Sequence, residues 1–239
     1  MATTYRQALN RVLEIIGEDK IPGAATTLTS EYHLLIGALF NEIMEQVEDA
    51  HNWRALRTTY TVTVPAQALS GTITNASERS RLVRIYQANR HSVVPLVFDV
   101  TDASNPDPLI EIDLSEIIYR DTVNPNEYQD PVYFALDNSA GDGMDLYVNP
   151  RPSGSKSIQV TMITPQGRAD FTQQNVLSAN ISVPVRPIVM GTVWYALEER
   201  GEELGTQGLF SEQRFMQALD DAIARDAAEQ GDNMELISV

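Results

Sequence analysis

Apolar residues recur at helical spacing near both ends of this chain and at alternate positions through its middle, and that change of period divides the sequence into regions. Residues 4–16 predict a first helix, with Tyr5, Leu9, Val12, Ile15 and Ile16 on one face and Gly17 placed to stop it. Pro22, Gly23 and a Thr-rich run make 18–29 a connecting loop. Ser30 offers a hydroxyl cap for a second helix running to Ala50. Its buried stripe is Tyr32, Leu35, Ile36, Leu39, Phe40, Ile43, Met44 and Val47, and its polar face is Glu31, Glu42, Glu45, Glu48 and Asp49.

After Trp53 the period becomes two. Thr59-Tyr60-Thr61-Val62-Thr63-Val64 reads as a half-buried strand ended by Pro65. Further strands are expected at 81–87, 93–98, 132–136, 144–148 and 157–163, about six in all. Residues 138–143 carry turn chemistry for a hairpin between the fourth and fifth. The stretch 101–131, rich in Pro, Asn and Asp with one short helix at 114–119, is long for a compact domain and is a candidate place to meet a partner. Helix returns at Pro184 and Pro187, over 188–204, and a last helix begins after Ser211 with Phe215, Met216, Leu219, Ala222 and Ile223 as its apolar face. The expected fold class is α+β. A helical bundle of four helices from 1–55 and 184–230 carries an inserted antiparallel β sandwich or barrel over 56–183, and 231–239 form a flexible tail.

With 239 residues and 43% hydrophobic content the chain can bury a real core. The absence of Cys excludes disulfides, thiolate metal sites and thiol catalysis. The opening Met1-Ala2-Thr3-Thr4-Tyr5-Arg6 lacks the pattern of a signal peptide, and no stretch approaches the roughly 18 apolar residues of a membrane span, so synthesis in a cytoplasm and no membrane partner are expected. The net charge of −16 disfavours tight DNA binding, which needs a basic face. Between Tyr195 and Glu235 eleven acids stand against three arginines, Arg200, Arg214 and Arg225. The plain reading is a solvated helical face.

Candidate chemistry is sparse. No GxGxxG, GxxxxGK[ST] or HExxH motif occurs, and no nucleophile motif is visible. His33, His51 and His91 read as surface or capping residues before they read as bases or ligands. Asp137-Asn138-Ser139-Ala140-Gly141-Asp142-Gly143-Met144-Asp145 offers clustered oxygens, but it lacks EF-hand spacing and the closing glutamate, and a β-turn is the better reading. No catalytic residue, cofactor or metal ligand is assigned, and the expectation is that the protein is not an enzyme. A pair of carboxylates serving a glycan-hydrolysing or glycan-binding module stays open as a rival. Trp53 and Trp194 sit where the period changes and are read as domain-junction anchors. Arg54 and Arg57 either pair with nearby acids or contact an adjacent subunit.

Several segments resemble tailed-phage head-to-tail adaptor proteins. They are Arg11-Val12-Leu13-Glu14-Ile15-Ile16-Gly17-Glu18, the helix ending Phe40-Asn41-Glu42-Ile43-Met44-Glu45-Gln46-Val47-Glu48, and His51-Asn52-Trp53-Arg54-Ala55-Leu56-Arg57. Leu146-Tyr147-Val148-Asn149-Pro150-Arg151-Pro152 is similar to that family's strand ending in a Pro-x-Pro step, and Tyr195-Ala196-Leu197-Glu198-Glu199-Arg200-Gly201-Glu202 to its C-terminal helix. The resemblance spans most of the chain through short motifs. It implies a connector of a virion neck, usually twelve copies in a ring, docked beneath the portal protein and joined to a tail or nozzle protein, with double-stranded DNA passing without tight binding. It also implies that 101–131 is a local elaboration. Glu198, Glu199, Glu202 and Glu203 then become candidate channel-lining acids that repel phosphate, and Leu236, Ile237 and Val239 a candidate portal-docking tail. A tail-completion or minor tail protein is the nearer alternative.

Overall fold

A computed structural model of the chain describes residues 3–74, 76–87, 92–138, 143–201 and 206–230. Two helices come first, α1 (Tyr5–Ile15) and α2 (Glu31–Ala50). After a 3-10 turn at Arg54–Leu56 come β1 (Arg57–Val64), β2 (Ser70–Thr74), β3 (Arg81–Leu82) and β4 (Arg84–Gln87). Next are β5 (Ser92–Pro95), β6 (Val97–Asp99), β7 (Asp107–Pro108) and β8 (Ile110–Glu111). Then α3 (Leu114–Val123) precedes β9 (Tyr133–Asp137), β10 (Gly143–Asn149) and β11 (Lys156–Ile163). Finally α4 (Val185–Glu199) and α5 (Thr206–Gln230) follow. The class is mixed α+β, with antiparallel and mixed sheets among the described residues.

The chain forms two compact units, one from the described residues of Met1–Ala55 and Gln166–Gly231, the other from Leu56–Pro165. The expected boundary at 183 moves back to 165, because 166–183 lie along the helices. Gln166 donates its backbone N–H to Glu48 Oε1 at 2.9 Å, and both polar atoms of the Asn41 amide bond the backbone of Ala169 at 2.9 and 3.0 Å. Leu28 donates its N–H to the Phe171 carbonyl at 2.9 Å. Such side-chain partners let an irregular segment bury its backbone without a ladder.

In the helical unit, α1 starts with a capping box in which Thr4 and Gln7 satisfy each other's backbone N–H groups. It ends before Gly17, whose φ of +76° lies in the left-handed region that favours glycine. Ser30 occupies the N-cap position of α2 without a side-chain cap bond, contrary to expectation. Tyr5, Leu9, Phe40, Ile43, Met44, Val47, Ile188 and Val193 are buried. Each large apolar side chain removed from water contributes about 1.5–3 kcal/mol. α4 packs against α1, α2 and α5. Gly191 permits this approach, since a Cβ there would lie 2.7 Å from Ile43 Cγ2 and 2.9 Å from Phe215 Cδ2. Several expected core positions are corrected: Ile15, Leu35 and Met216 are exposed, and Tyr32 is half-buried. Glu48, assigned by its charge to the wet face, is fully buried. The start of α5 also moves, because Ser211 lies inside it.

In the sheet unit, one sheet has the order β1-β11-β6-β7, with β3 also on β11, and a second the order β2-β10-β9-β8. A β4–β5 hairpin stands by itself. β1 and β11 pair antiparallel along their whole length, from Arg57 opposite Ile163 to Val64 opposite Lys156. Val62, Val64, Val97, Ile158 and Val160 from the first sheet meet Ile73, Phe134, Leu146 and Val148 from the second in one core cluster. The sequence pattern missed β2, which carries only one buried apolar side chain, Ile73, and a Gly71 whose added Cβ would lie 2.8 Å from the Thr63 carbonyl. The stretches expected at 81–87 and 93–98 are each split into two short strands. The short helix expected at 114–119 continues one turn to Val123, capped by Asp113, which accepts the Ser115 N–H at 2.8 Å.

Candidate functional site

The chain leaves α2 through His51, whose φ of −153° is extended, and turns at Trp53 and Arg54 against the second half of α5. Trp53 is 1% exposed, and its indole N–H donates to the Val47 carbonyl at 2.6 Å. The His51 ring meets it edge-on, with centroids 4.9 Å apart. His51 Nε2 lies 3.0 Å from Asp226 Oδ2, the same oxygen that accepts the Arg54 N–H at 3.3 Å. The Arg54 guanidinium pairs with the Glu229 carboxylate and also donates to the Glu229 carbonyl at 3.3 Å. One helix end is thus tied to a corner of chain 175 residues away.

Beside this corner is a cleft of about 520 Å³ within the helical unit. Trp53, Val183, Pro187 and Ala218 form a buried apolar floor. Arg54, Arg186 and Arg225 stand at its rim with Asp221, Asp226 and Glu229, so the formal charges balance. Arg186 reaches Asp221 at 3.5 Å, and such exposed pairs contribute about 0–1 kcal/mol. Ser182 is the lone hydroxyl among the described lining residues, and His51 is turned onto Asp226. This arrangement suits shape-complementary binding of an amphipathic segment better than proton transfer. Among the described residues no group of three or more His, Asp or Glu is placed to hold a metal ion.

The other residues picked from sequence fall in several places. Trp194 stacks on Phe215 at 6.1 Å and meets Tyr195 edge-on at 5.0 Å, contacts within the helical unit. Arg54 takes the first of its two expected roles, pairing with a nearby acid, and Arg57 opens β1. Glu198 and Glu199 are exposed in the last turn of α4. Glu202, Glu203, Leu236, Ile237, Val239 and His91 lie outside the described residues, as do 139–142 of the expected turn. Asp145 belongs to β10 and accepts the Thr72 hydroxyl at 2.8 Å, so it is a strand residue. His33 Nε2 contacts the Asp19 carbonyl at 3.2 Å. The acidic block is not uniform: Asp221, Asp226 and Glu229 are engaged with Arg186, His51 and Arg54. Sequence reasoning missed these pairings because partners so far apart leave no local pattern.

Among the described residues no helix is long and apolar enough to cross a membrane. In comparisons with known proteins, no family model matches the chain and no curated protein matches its sequence.

Proposed function

We propose that this protein is a structural subunit of a tailed-phage neck, a head-to-tail adaptor that assembles as a ring beneath the portal protein and continues the DNA channel toward a tail or nozzle protein. The observation that carries the reading is the way the described residues of 3–55 and 166–230 enter one helical unit while 56–165 form a separate sheet unit. That organisation accords with the order of segments resembling the adaptor family. In this reading the helical unit is a bundle that builds the ring wall, and the two larger sheets, which share one core, form an inserted sandwich. Its work is mechanical, and no catalytic role is assigned.

Closed cyclic assembly repeats one side-by-side contact around an axis, here between neighbouring helical units. Arg54 and Arg57 are the subunit-contact candidates, and Arg54 also pairs with Glu229 within its own chain. Glu198 and Glu199 are exposed at the end of α4 and are candidates for a channel wall that repels phosphate. If Glu198→Gln with Glu199→Gln leaves DNA retention and ejection unchanged, those acids do not line the channel.

Native mass spectrometry of the protein mixed with its candidate portal ring tests the main reading. The expected result is a fixed number of copies added per portal ring. Binding to tail-tube components with none to the portal would instead assign it to tail completion.

A further inference from the structure

We infer that α3 and the sheet edge beside it form a docking surface for a different protein, one presenting an apolar face edged with lysine or arginine. All six large apolar side chains exposed among the described residues of the sheet unit fall between positions 110 and 132: Ile110, Ile118, Tyr119, Val123, Tyr128 and Val132. Their concentration in one segment is unlike the scattered single exposures normal on a soluble surface. Together they expose an area on the order of several hundred Å², the size that marks an interaction site.

The geometry gathers most of them. α3 is seated on β9 and β10, with Ile117 fully buried and the Arg120 guanidinium 4.4 Å from the Tyr133 ring centroid. Anchoring through Ile117 leaves Tyr119 and Val123, one helical turn apart, on a face that is 69% and 56% exposed. Ile110 is the register partner of Tyr133 in the parallel β8–β9 pair, so its side chain stands on the side of the sheet that α3 covers. Arg151 Nε holds Asp121 of α3 at 2.5 Å, and Tyr128 bridges to the backbone of the same Arg151. These ties hold the surface in place without covering it.

Charge selects the occupant. The segment 101–132 carries eight acids and one base, Arg120, which is paired with Glu116. Asp102, Asp107, Asp113 and Glu127 are exposed with no basic side chain of the described residues in ion-pair reach, whereas Glu111, Asp121 and Asp130 have one. An apolar face within such a rim is repelled by nucleic acid and by anionic lipid. A second copy is an equally poor match, because the chain has 33 acids against 17 bases and most described cations already have partners. A basic-edged apolar protein surface complements both properties. This partner is expected whether or not the protein forms a ring.

Fluorescence anisotropy of the full chain with a labelled amphipathic helical peptide of leucine and lysine tests the assignment. The expected result is binding that weakens with added salt. The triple variant Ile118→Ser, Tyr119→Ser, Val123→Ser should weaken it by at least about tenfold, the factor that roughly 1.4 kcal/mol represents. The variant Phe210→Ser, Met216→Ser, at exposed positions of α5, should bind as the parent does. If the triple variant loses its native circular dichroism, Tyr119→Ser alone supplies the readout. Undiminished binding by the α3 variant, or equal affinity for a leucine and glutamate peptide, would overturn the assignment. So would self-association in sedimentation that the α3 variant abolishes, which would make a second copy the occupant. Binding of duplex DNA or phosphatidylserine vesicles that the variant abolishes would overturn it too. A failed portal experiment leaves each of these outcomes readable.

Discussion

The helical unit and the sheet unit solve the same problem in different ways. In the helical unit, irregular chain is fixed by single side chains that reach across long sequence separations: Asn41 to Ala169, 128 residues apart, and Arg200 to the Ile16 carbonyl, 184 residues apart. In the sheet unit, most of the fixing is done by backbone ladders such as β1 with β11, in which successive residue pairs repeat the same bond. A ladder spreads its stability over many equivalent bonds, whereas a tether concentrates it in one residue. The helical unit should therefore be sensitive to polar substitutions that the sheet unit tolerates, and the sheet unit chiefly to loss of its shared core.

The largest effect expected from breaking this contrast is Phe134→Ala, which removes a fully buried ring from the cluster the two sheets share. A loss of about 3–5 kcal/mol is expected, with hydrogen-exchange protection falling first in β9 and β10. Gly191→Val comes next, at about 3 kcal/mol, because its added atoms meet Ile43 and Phe215 at the centre of the helical unit. Lost protection should then appear in α2, α4 and α5. If both variants loosened the same amides, the two-unit description would fail. Asn41→Ala leaves the Ala169 N–H and C=O without their side-chain partner and should cost about 1–3 kcal/mol in urea unfolding. An exposed ladder residue such as Thr61→Ala should cost less than about 1 kcal/mol.

The pH dependence has opposite signs in the two units. Burial, together with the nearby Glu48 charge, pushes the Tyr5 hydroxyl up to about 12 from its ordinary 10.0. The folded helical unit therefore holds that proton more tightly than the unfolded chain. The associated stability is complete below pH 10 and is lost as pH rises toward 12. In Tyr5→Phe the alkaline slope of the unfolding midpoint should flatten. In the sheet unit, burial pushes the Asp99 carboxyl up, but hydrogen bonds from Thr101 and Lys156 and the Lys156 charge outweigh it and hold it below 3.8. Stability from this group is present above pH 3.8 and is lost as pH falls through the lowered value. Lys156→Met should reduce that acid dependence and leave the alkaline limb unchanged.

Much of the helical unit was legible from periodicity, because a buried stripe is a local signal: Ile36, Phe40, Ile43 and Val47 are all buried as expected. Exposed Leu35 and buried Glu48 depart from it, since what covers a face depends on chain that arrives much later, here 166–169. The strands of the sheet unit were legible where apolar and polar residues alternate, as in β1 and β10, and not in Ser70–Thr74, where a glycine is needed for close approach. Of the candidate cleft, the sequence pointed to Trp53 and Arg54. Asp221, Asp226 and Glu229 were recognised only as members of the acidic block, and Arg186 was not singled out.

By itself the sequence determined the change of period, the acidic balance, the absence of thiol chemistry and the class of each long element, because these depend on composition and on residues within a turn or two of one another. The tertiary structure alone decided that 166–183 belong with the helices, that Asp226 meets His51 and Arg54, and that Tyr119 and Val123 stay exposed while Ile117 is buried. Spacing along a chain states which side chains share a face. Which distant segment covers that face is set by packing, and adjacent positions do not record it.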